Sequence, residues 1–201
     1  MNTVFLRGEA ADPAAFSHES HGVRYFQINI AVPRLSGALD VLRVLAPGEA
    51  LMAYCPKPGE TVEIDGQLRS FNNKSGIGSR LVVSVLVRTI CPGSGENENR
   101  VLLSGSLCKA PVYRKTPLGR EICDLLVAVG RLYGRADYLP VICWGQTARE
   151  CSELEVGDRI NITGRFQSRK YIKQTGDEAV ERVAYEVSAT SVVPAENGIS
   201  E

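Results

Sequence analysis

At 201 residues the chain is long for one small β-domain and sufficient for two of about 100. Its 44% apolar content supports a core in each half, and no apolar run nears the roughly 18 residues of a membrane span. Lys plus Arg and Asp plus Glu both total 23, so the net charge of zero argues against an indiscriminate polycation.

The N-terminal MNTVFLRGEA lacks the basic-then-apolar layout of a signal peptide and carries Glu9, which predicts a soluble, unexported, cytoplasmic protein. Short apolar runs with period-two alternation, cut by Gly/Pro turns, then predict an all-β chain. In the first half Leu42, Val44 and Ala46 form one inward set, and Ile64 and Leu68 another. The polar run CPGSGENENR reads as a short linker over 91–98. Beyond it, strands are expected near 100–107, 121–130, 137–144, 158–170 and 182–193. QTARECSEL, 146–154, is the one helical candidate between the third and fourth of these. The small, polar stretch 194–201 is expected to fray.

The two halves repeat. Asn2, Val4, Leu6 and Gly8 match Asn99, Val101, Leu103 and Gly105 at an offset of 97. The same offset pairs Ala31, Val32, Arg34, Leu35 and Gly37 with Ala128, Val129, Arg131, Leu132 and Gly134. It also pairs Asp40, Leu42, Val44 and Gly48 with Asp137, Leu139, Val141 and Gly145. At an offset of 98, Gly59, Ile64, Gly66 and Ser70 match Gly157, Ile162, Gly164 and Ser168. Val83 and Ser84 are set against Val187 and Ser188 after a further six-residue insertion. Five strands with a helix after the third is the layout of the OB-fold, a partly open Greek-key barrel; an immunoglobulin-like sandwich needs about seven strands. The expectation is therefore two tandem five-stranded barrels, 1–90 and 99–193, each with at most one short helix.

Charge and aromatic residues are uneven. Lys109, Arg114, Lys115, Arg120, Arg131 and Arg135 cluster in the second half, as do Arg165, Arg169, Lys170 and Lys173. In the strand near 137–144, Leu139, Val141 and Cys143 are expected inside, and Tyr138, Pro140, Ile142 and Trp144 outside. In the next strand Ile160, Ile162 and Phe166 are expected inside. Arg159, Asn161, Thr163, Arg165, Gln167, Arg169 and Tyr171 are expected outside. Rings beside cations suit unpaired strands: bases stack on the rings while Arg and Lys neutralise phosphates. Each residue also has a plainer reading. Trp144 can cap the barrel, Tyr138 can be strand packing, and Arg114, Lys115 and Arg120 can be solvated loop charges.

These residues resemble a known family. NRVLLSGSL, PVYRKTPLGREI, LLVAVGRLYG, DYLPVICWG, VGDRINITGRFQSRKY and AYEVSA, within 99–193, are similar to the OB domain of bacterial single-stranded DNA-binding proteins. SGSLCKAP also resembles the related primosomal protein PriB. The resemblance implies stacking roles for Tyr133, Tyr138, Trp144 and Tyr171. Through the repeat these positions become Ser36, Val41, Pro47 and Asn73, none aromatic, while Lys115, Arg120 and Arg135 become His18, Val23 and Ala38. The first barrel is thus expected to be chiefly architectural. The family implies four OB-folds per assembly, hence a homodimer, and a nucleoid-associated role in replication, repair or recombination. The ending PAENGISE lacks the family's acidic recruitment tip, so replication or primosome partners are not expected by that route.

The leading expectation is sequence-independent single-stranded DNA binding without cofactor. A PriB-like docking module with weak strand binding, or a single-stranded RNA binder, is the alternative. No phosphate-cradling loop, nucleophile pair or metal cluster suggests an enzyme, and His18 and His21 are the only histidines. The six cysteines form no Cys-x-x-Cys pair and are expected as thiols, with Cys108, Cys123 and Cys143 inside strand patterns.

Overall fold

The computed structural model describes residues 1–73, 80–175 and 178–195, without the side chains of 173–175 and 178. The first half contains β1 (Asn2–Ala10), β2 (Ala15–Ser20), β3 (Val23–Pro33), β4 (Leu39–Pro47), α1 (Gly48–Ala53), β5 (Thr61–Asn72) and β6 (Leu81–Pro92). The second contains β7 (Glu98–Leu107), β8 (Val112–Lys115), β9 (Glu121–Gly130), β10 (Ala136–Trp144), α2 (Gly145–Ser152), β11 (Arg159–Thr175) and β12 (Glu178–Pro194). No helix among the described residues is long and apolar enough to cross a membrane.

Each half closes on itself because its first strand pairs with two neighbours. β1 runs antiparallel to β5 from Val4↔Gly66 to Glu9↔Thr61, and its end also meets β3 at Glu9↔Ala31 and Ala10↔Ile30. β3 continues to β4, β4 lies parallel to β6, and β6 returns to β5. In the second half β7 meets β11 and, at Ser106↔Ala128 and Leu107↔Val127, β9; β9 meets β10, and β10 lies parallel to β12. Serving two partners brings backbone close to backbone, and glycine permits it. A Cβ on Gly8 would stand 2.5 Å from the Ala31 carbonyl oxygen, and one on Gly105 2.5 Å from that of Ala128. The two tandem barrels expected from the repeat are therefore present.

The inward sets agree with the alternation. Leu42, Val44, Ala46, Leu139, Cys143, Ile64, Leu68, Ile160 and Phe166 are fully buried, and Val141 and Ile162 nearly so. Ile142 departs from expectation: placed outside by alternation, it is 2% exposed. Two short strands, β2 and β8, were not anticipated, since their exposed residues show no apolar rhythm. Each forms a hairpin arm on the strand that follows it. β11 and β12 also run further than expected, because their distal residues are mostly polar.

The barrel register corrects one detail of the repeat. Val44 pairs with Val85 where Val141 pairs with Val187, so Val85 and Leu86, not Val83 and Ser84, stand where Val187 and Ser188 do.

The described chain forms two compact units: Met1–Asn2 with Val101–Arg165 and Val187 onward, and Thr3–Arg100 with Phe166–Glu186. The distal ends of β11 and β12 thus count with the first half, a division that the 91–98 linker did not foretell. Inside that unit Asp40, 1% exposed, accepts from Arg34 Nε at 2.8 Å, Arg34 Nη2 at 2.6 Å and the Ser168 amide at 2.8 Å. Arg34 Nη2 also donates to the Ser168 carbonyl at 2.8 Å. The Asn99 side chain brackets Phe166, donating to its carbonyl at 2.6 Å and accepting from its amide at 2.9 Å.

All six cysteines are thiols: Cys123, Cys143 and Cys151 are buried, Cys108 is half-buried, and Cys55 and Cys91 are exposed. Cys108 donates to the Leu126 carbonyl at 3.0 Å. Burial pushes the Cys123 thiol up to about 11, and the hydrogen bond to Cys151, with burial, pushes Cys143 up.

Because the added methyl of Gly105→Ala meets backbone rather than a movable side chain, that variant should lose about 1–3 kcal/mol of stability, measured as a lower urea midpoint.

Candidate nucleic-acid interface

The outer face of the second barrel is read directly from the ladder. β9 and β10 pair without interruption from Ala136↔Gly130 to Trp144↔Ile122. On one face β10 therefore presents Tyr138, Pro140, Ile142 and Trp144, beside Ala128, Leu126, Asp124 and Ile122 of β9. Tyr138 is 48% and Trp144 39% exposed, so neither is a core plug. Six residues of strand set the two rings about 20 Å apart, with Pro140 and buried Ile142 as an apolar floor between them. Trp144 is anchored by its edge: Nε1–H donates to Ser188 Oγ at 3.2 Å. That leaves the indole's remaining exposed surface as apolar π-face, which in water has no hydrogen-bonding partner to lose on stacking.

Tyr133 sits differently. It lies in the 3-10 turn Leu132–Gly134 linking β9 to β10, closed by Arg131 N donating to the Arg135 carbonyl at 2.7 Å. Its φ is +60° and its ring is 97% exposed. A tyrosine held in the left-handed region with no packing in return is a local cost of about 1 kcal/mol or more, of the kind that gathers at functional positions.

The expected cations divide by their partners. Arg114 is held by Asp124 at 2.8 Å and 3.1 Å, and Lys115 lies 3.8 Å from Glu121. Glu121 also accepts from the Tyr113 hydroxyl at 2.7 Å and meets Arg149 at 3.1 Å; these contacts, the tyrosine bond foremost, hold its carboxyl below the usual range. Arg120 and Arg135 are exposed, and Arg165 is half-buried. Two expectations change. Arg131 is engaged by the wholly buried Asp137, with Nε 2.5 Å from Oδ2 and a second bond from Nη2 to Oδ1. Gln167, expected outside, is 3% exposed and donates to Glu186 at 2.9 Å. Burying Glu186 at 6% exposure requires donors, and Gln167 and Arg169 supply them.

Tyr133, Tyr138, Trp144, Arg114, Lys115, Arg120, Arg131, Arg135 and Arg165 belong to one compact unit; Gln167, Arg169, Lys170 and Tyr171 belong to the other. There the Arg169 guanidinium lies 5.8 Å from the Tyr171 ring centre and 3.2 Å from Glu186, while Lys170 meets Glu181 at 3.1 Å. The Lys173 side chain lies outside the described residues.

Two features were missed in the sequence. Ser188 as the indole's anchor gave no signal, since its distance from Trp144 along the chain is set by the loop between β11 and β12. The Arg–Asp pair did give one: Arg34 and Asp40 repeat as Arg131 and Asp137, the same six residues apart. A repeated opposite-charge pair bracketing a turn is a structural signature, and it takes Arg131 out of the set of unengaged cations.

Residues 98–194 match the Single-strand binding protein family. Single-stranded DNA-binding protein A of Bacillus subtilis (strain 168) is 33% identical over 101 residues, covering 47% of this chain and 57% of that protein. The single-stranded DNA-binding protein of Neisseria meningitidis serogroup A / serotype 4A is 29% identical over 103 residues, covering 47% of this chain and 58% of its own. The chain thus spans a little over half the length of these relatives. In fold, it is similar to wild-type single-stranded DNA binding protein from Thermus aquaticus, with a TM-score of 0.81 at 24% identity over 100% of this chain and 96% of that one. The matched proteins are named for binding single-stranded DNA.

Removing the carboxylate of Asp137 strands a half-buried guanidinium. Asp137→Ala should therefore destabilise by on the order of 3 kcal/mol, read from urea unfolding, whereas Tyr133→Ala should shift stability by no more than about 0.5 kcal/mol.

Proposed function

We propose, from the premise that residues 98–194 are a module of the single-strand binding protein family, that this chain binds single-stranded DNA without regard to sequence. The observation that carries the reading is the outer face of β10. Two exposed rings, Tyr138 and Trp144, flank an apolar floor, and one of them is anchored through its only polar atom. Such a surface offers π-faces to any base and hydrogen-bond readout to none. Duplex DNA keeps its bases stacked inside, so the rings have nothing to receive.

Tyr133 and Tyr171 extend the stacking set, and Arg120, Arg135, Arg165, Lys170 and Lys173 supply phosphate contacts, with Arg169 holding buried Glu186, and Arg114 and Lys115 available by exchanging Asp124 and Glu121 for phosphate. Exchange of one anion for another at an exposed pair costs little, because such pairs contribute only about 0–1 kcal/mol. Arg131 and Gln167 act by holding Asp137 and Glu186. We take 1–90 and 99–193 as the two sequence modules and a homodimer with four barrels as the assembly, serving replication, repair or recombination.

The test follows from the sole tryptophan, Trp144. Adding oligo-dT should quench its fluorescence, and duplex of equal length should not. Tyr138, Trp144 and Tyr171 replaced together by Ala should weaken binding roughly 100-fold or more, from about 1–3 kcal/mol per stacked base, followed by anisotropy of a labelled strand. Equal affinity for duplex, or no loss in the triple variant, would refute the proposal.

A further inference from the structure

The four stacking positions carry Ser36, Val41, Pro47 and Asn73 in the first barrel, but its outer face is not without rings. In the second barrel Arg114, Ile122 and Trp144 stand abreast on β8, β9 and β10. In the first the corresponding row is His18, Tyr25 and Pro47 on β2, β3 and β4. Tyr25 takes the place of Ile122, one strand away from where Trp144 would be, a step of about 4.8 Å.

His18 reaches that row through a register slip. Phe16 pairs with Phe26, but after the irregularity His18, not Ser17, pairs with Tyr25. One extra residue in a strand re-aims the side chain that follows, here turning an imidazole onto the face of Tyr25. The two rings stack at 5.0 Å between centres with an interplanar angle of 15°. His18 is exposed and Tyr25 half-buried, so the stack is firmly seated yet open at the imidazole. His18 Nδ1 lies 3.0 Å from Ser17 Oγ, which further sets the ring's orientation.

The same face carries a cation. Asn29 of β3 pairs with Arg43 of β4, two positions along from Tyr25 on its side of the sheet. The Arg43 guanidinium lies 5.6 Å from the Tyr185 ring centre within the same compact unit. Its Nε is buried without a hydrogen-bond partner among the described residues. A phosphate arriving at the terminal nitrogens of this guanidinium would accept charge-assisted hydrogen bonds there.

We infer that His18, Tyr25 and Arg43 form a second single-strand contact, on the first barrel, in which the ring platform has moved from the third barrel strand to the hairpin arm beside it. The inference rests on the proposed function. It replaces the architectural role expected of the first barrel with a weaker contact that matters only for strands longer than the second barrel covers.

The experiment uses the full chain and labelled oligo-dT of roughly 10 and roughly 40 nucleotides, a span set by the site sizes of OB-folds. His18→Ala/Tyr25→Ala should bind the long strand about tenfold more weakly and the short strand as the wild type does. Arg43→Gln should repeat that pattern with a shallower salt dependence. Tyr25→Phe, which keeps the ring, should bind both strands normally. Unchanged long-strand affinity in a folded double variant overturns the inference, as does an equal loss on both strands. If circular dichroism shows the double variant unfolded, His18→Ala alone, at an exposed position, is decisive: a several-fold loss on the long strand supports the contact and no loss overturns it. Wild type that fails to bind the short strand at all refutes the proposed function itself, a distinct outcome.

Discussion

Closure of each barrel depends on one strand serving two neighbours. β1 stays paired with β5 as far as Glu9 while its end also takes β3 on the other edge, and β7 does the same with β11 and β9 through Ser106. That double pairing presses backbone against backbone, and the missing Cβ at Gly8 and Gly105 leaves room for it. Everything that positions the outer face follows. Once β3 or β9 is locked to the first strand, its register to β4 or β10 determines which side chains stand outside. The rings of β10 are therefore placed by the barrel that carries them.

Charge is arranged in two ways, and burial of the carboxylate separates them. Asp40 and Asp137 are buried carboxylates, each gripped by an arginine six residues earlier across the turn between its barrel's second and third strands. In the dry interior such a carboxylate demands its partner, so the arginine is committed. Arg114, Lys115 and Lys170 instead meet carboxylates at the surface, where water and salt weaken the pairing and a phosphate can compete. Arginine count alone could not draw this line, because Arg131 and Arg135 flank the same turn and have opposite fates.

The duplicate barrels show how a surface changes while a core persists. Trp144 and Ser188 are joined by a hydrogen bond; the matching positions are Pro47 and Leu86, an apolar pair with no polar atom to satisfy. An apolar pair there leaves no buried, unbonded hydroxyl, as a serine without the indole would. The first barrel has the same strand pairing with a different outer row, in which Tyr25 and His18 stand on the strands beside Pro47.

Much of this was legible in the residues. Period-two alternation identified Leu139, Val141 and Cys143 as core and Tyr138 and Trp144 as surface, because side chains on a pleated strand must alternate. The repeat established two like barrels, since matched glycines and apolar positions impose matched backbones. The four aromatic positions were visible through family resemblance. What depended on tertiary structure was contact across strands distant in the chain. Ile142 and Gln167 lie on the outward side by alternation yet are buried, because exposure depends on what covers a face and not on the face alone. Ser188 anchors Trp144, the β11–β12 ends join the first half's unit, and a one-residue slip sets His18 on Tyr25. Periodicity is local and survives in one dimension; register and burial arise only when separate strands are brought side by side.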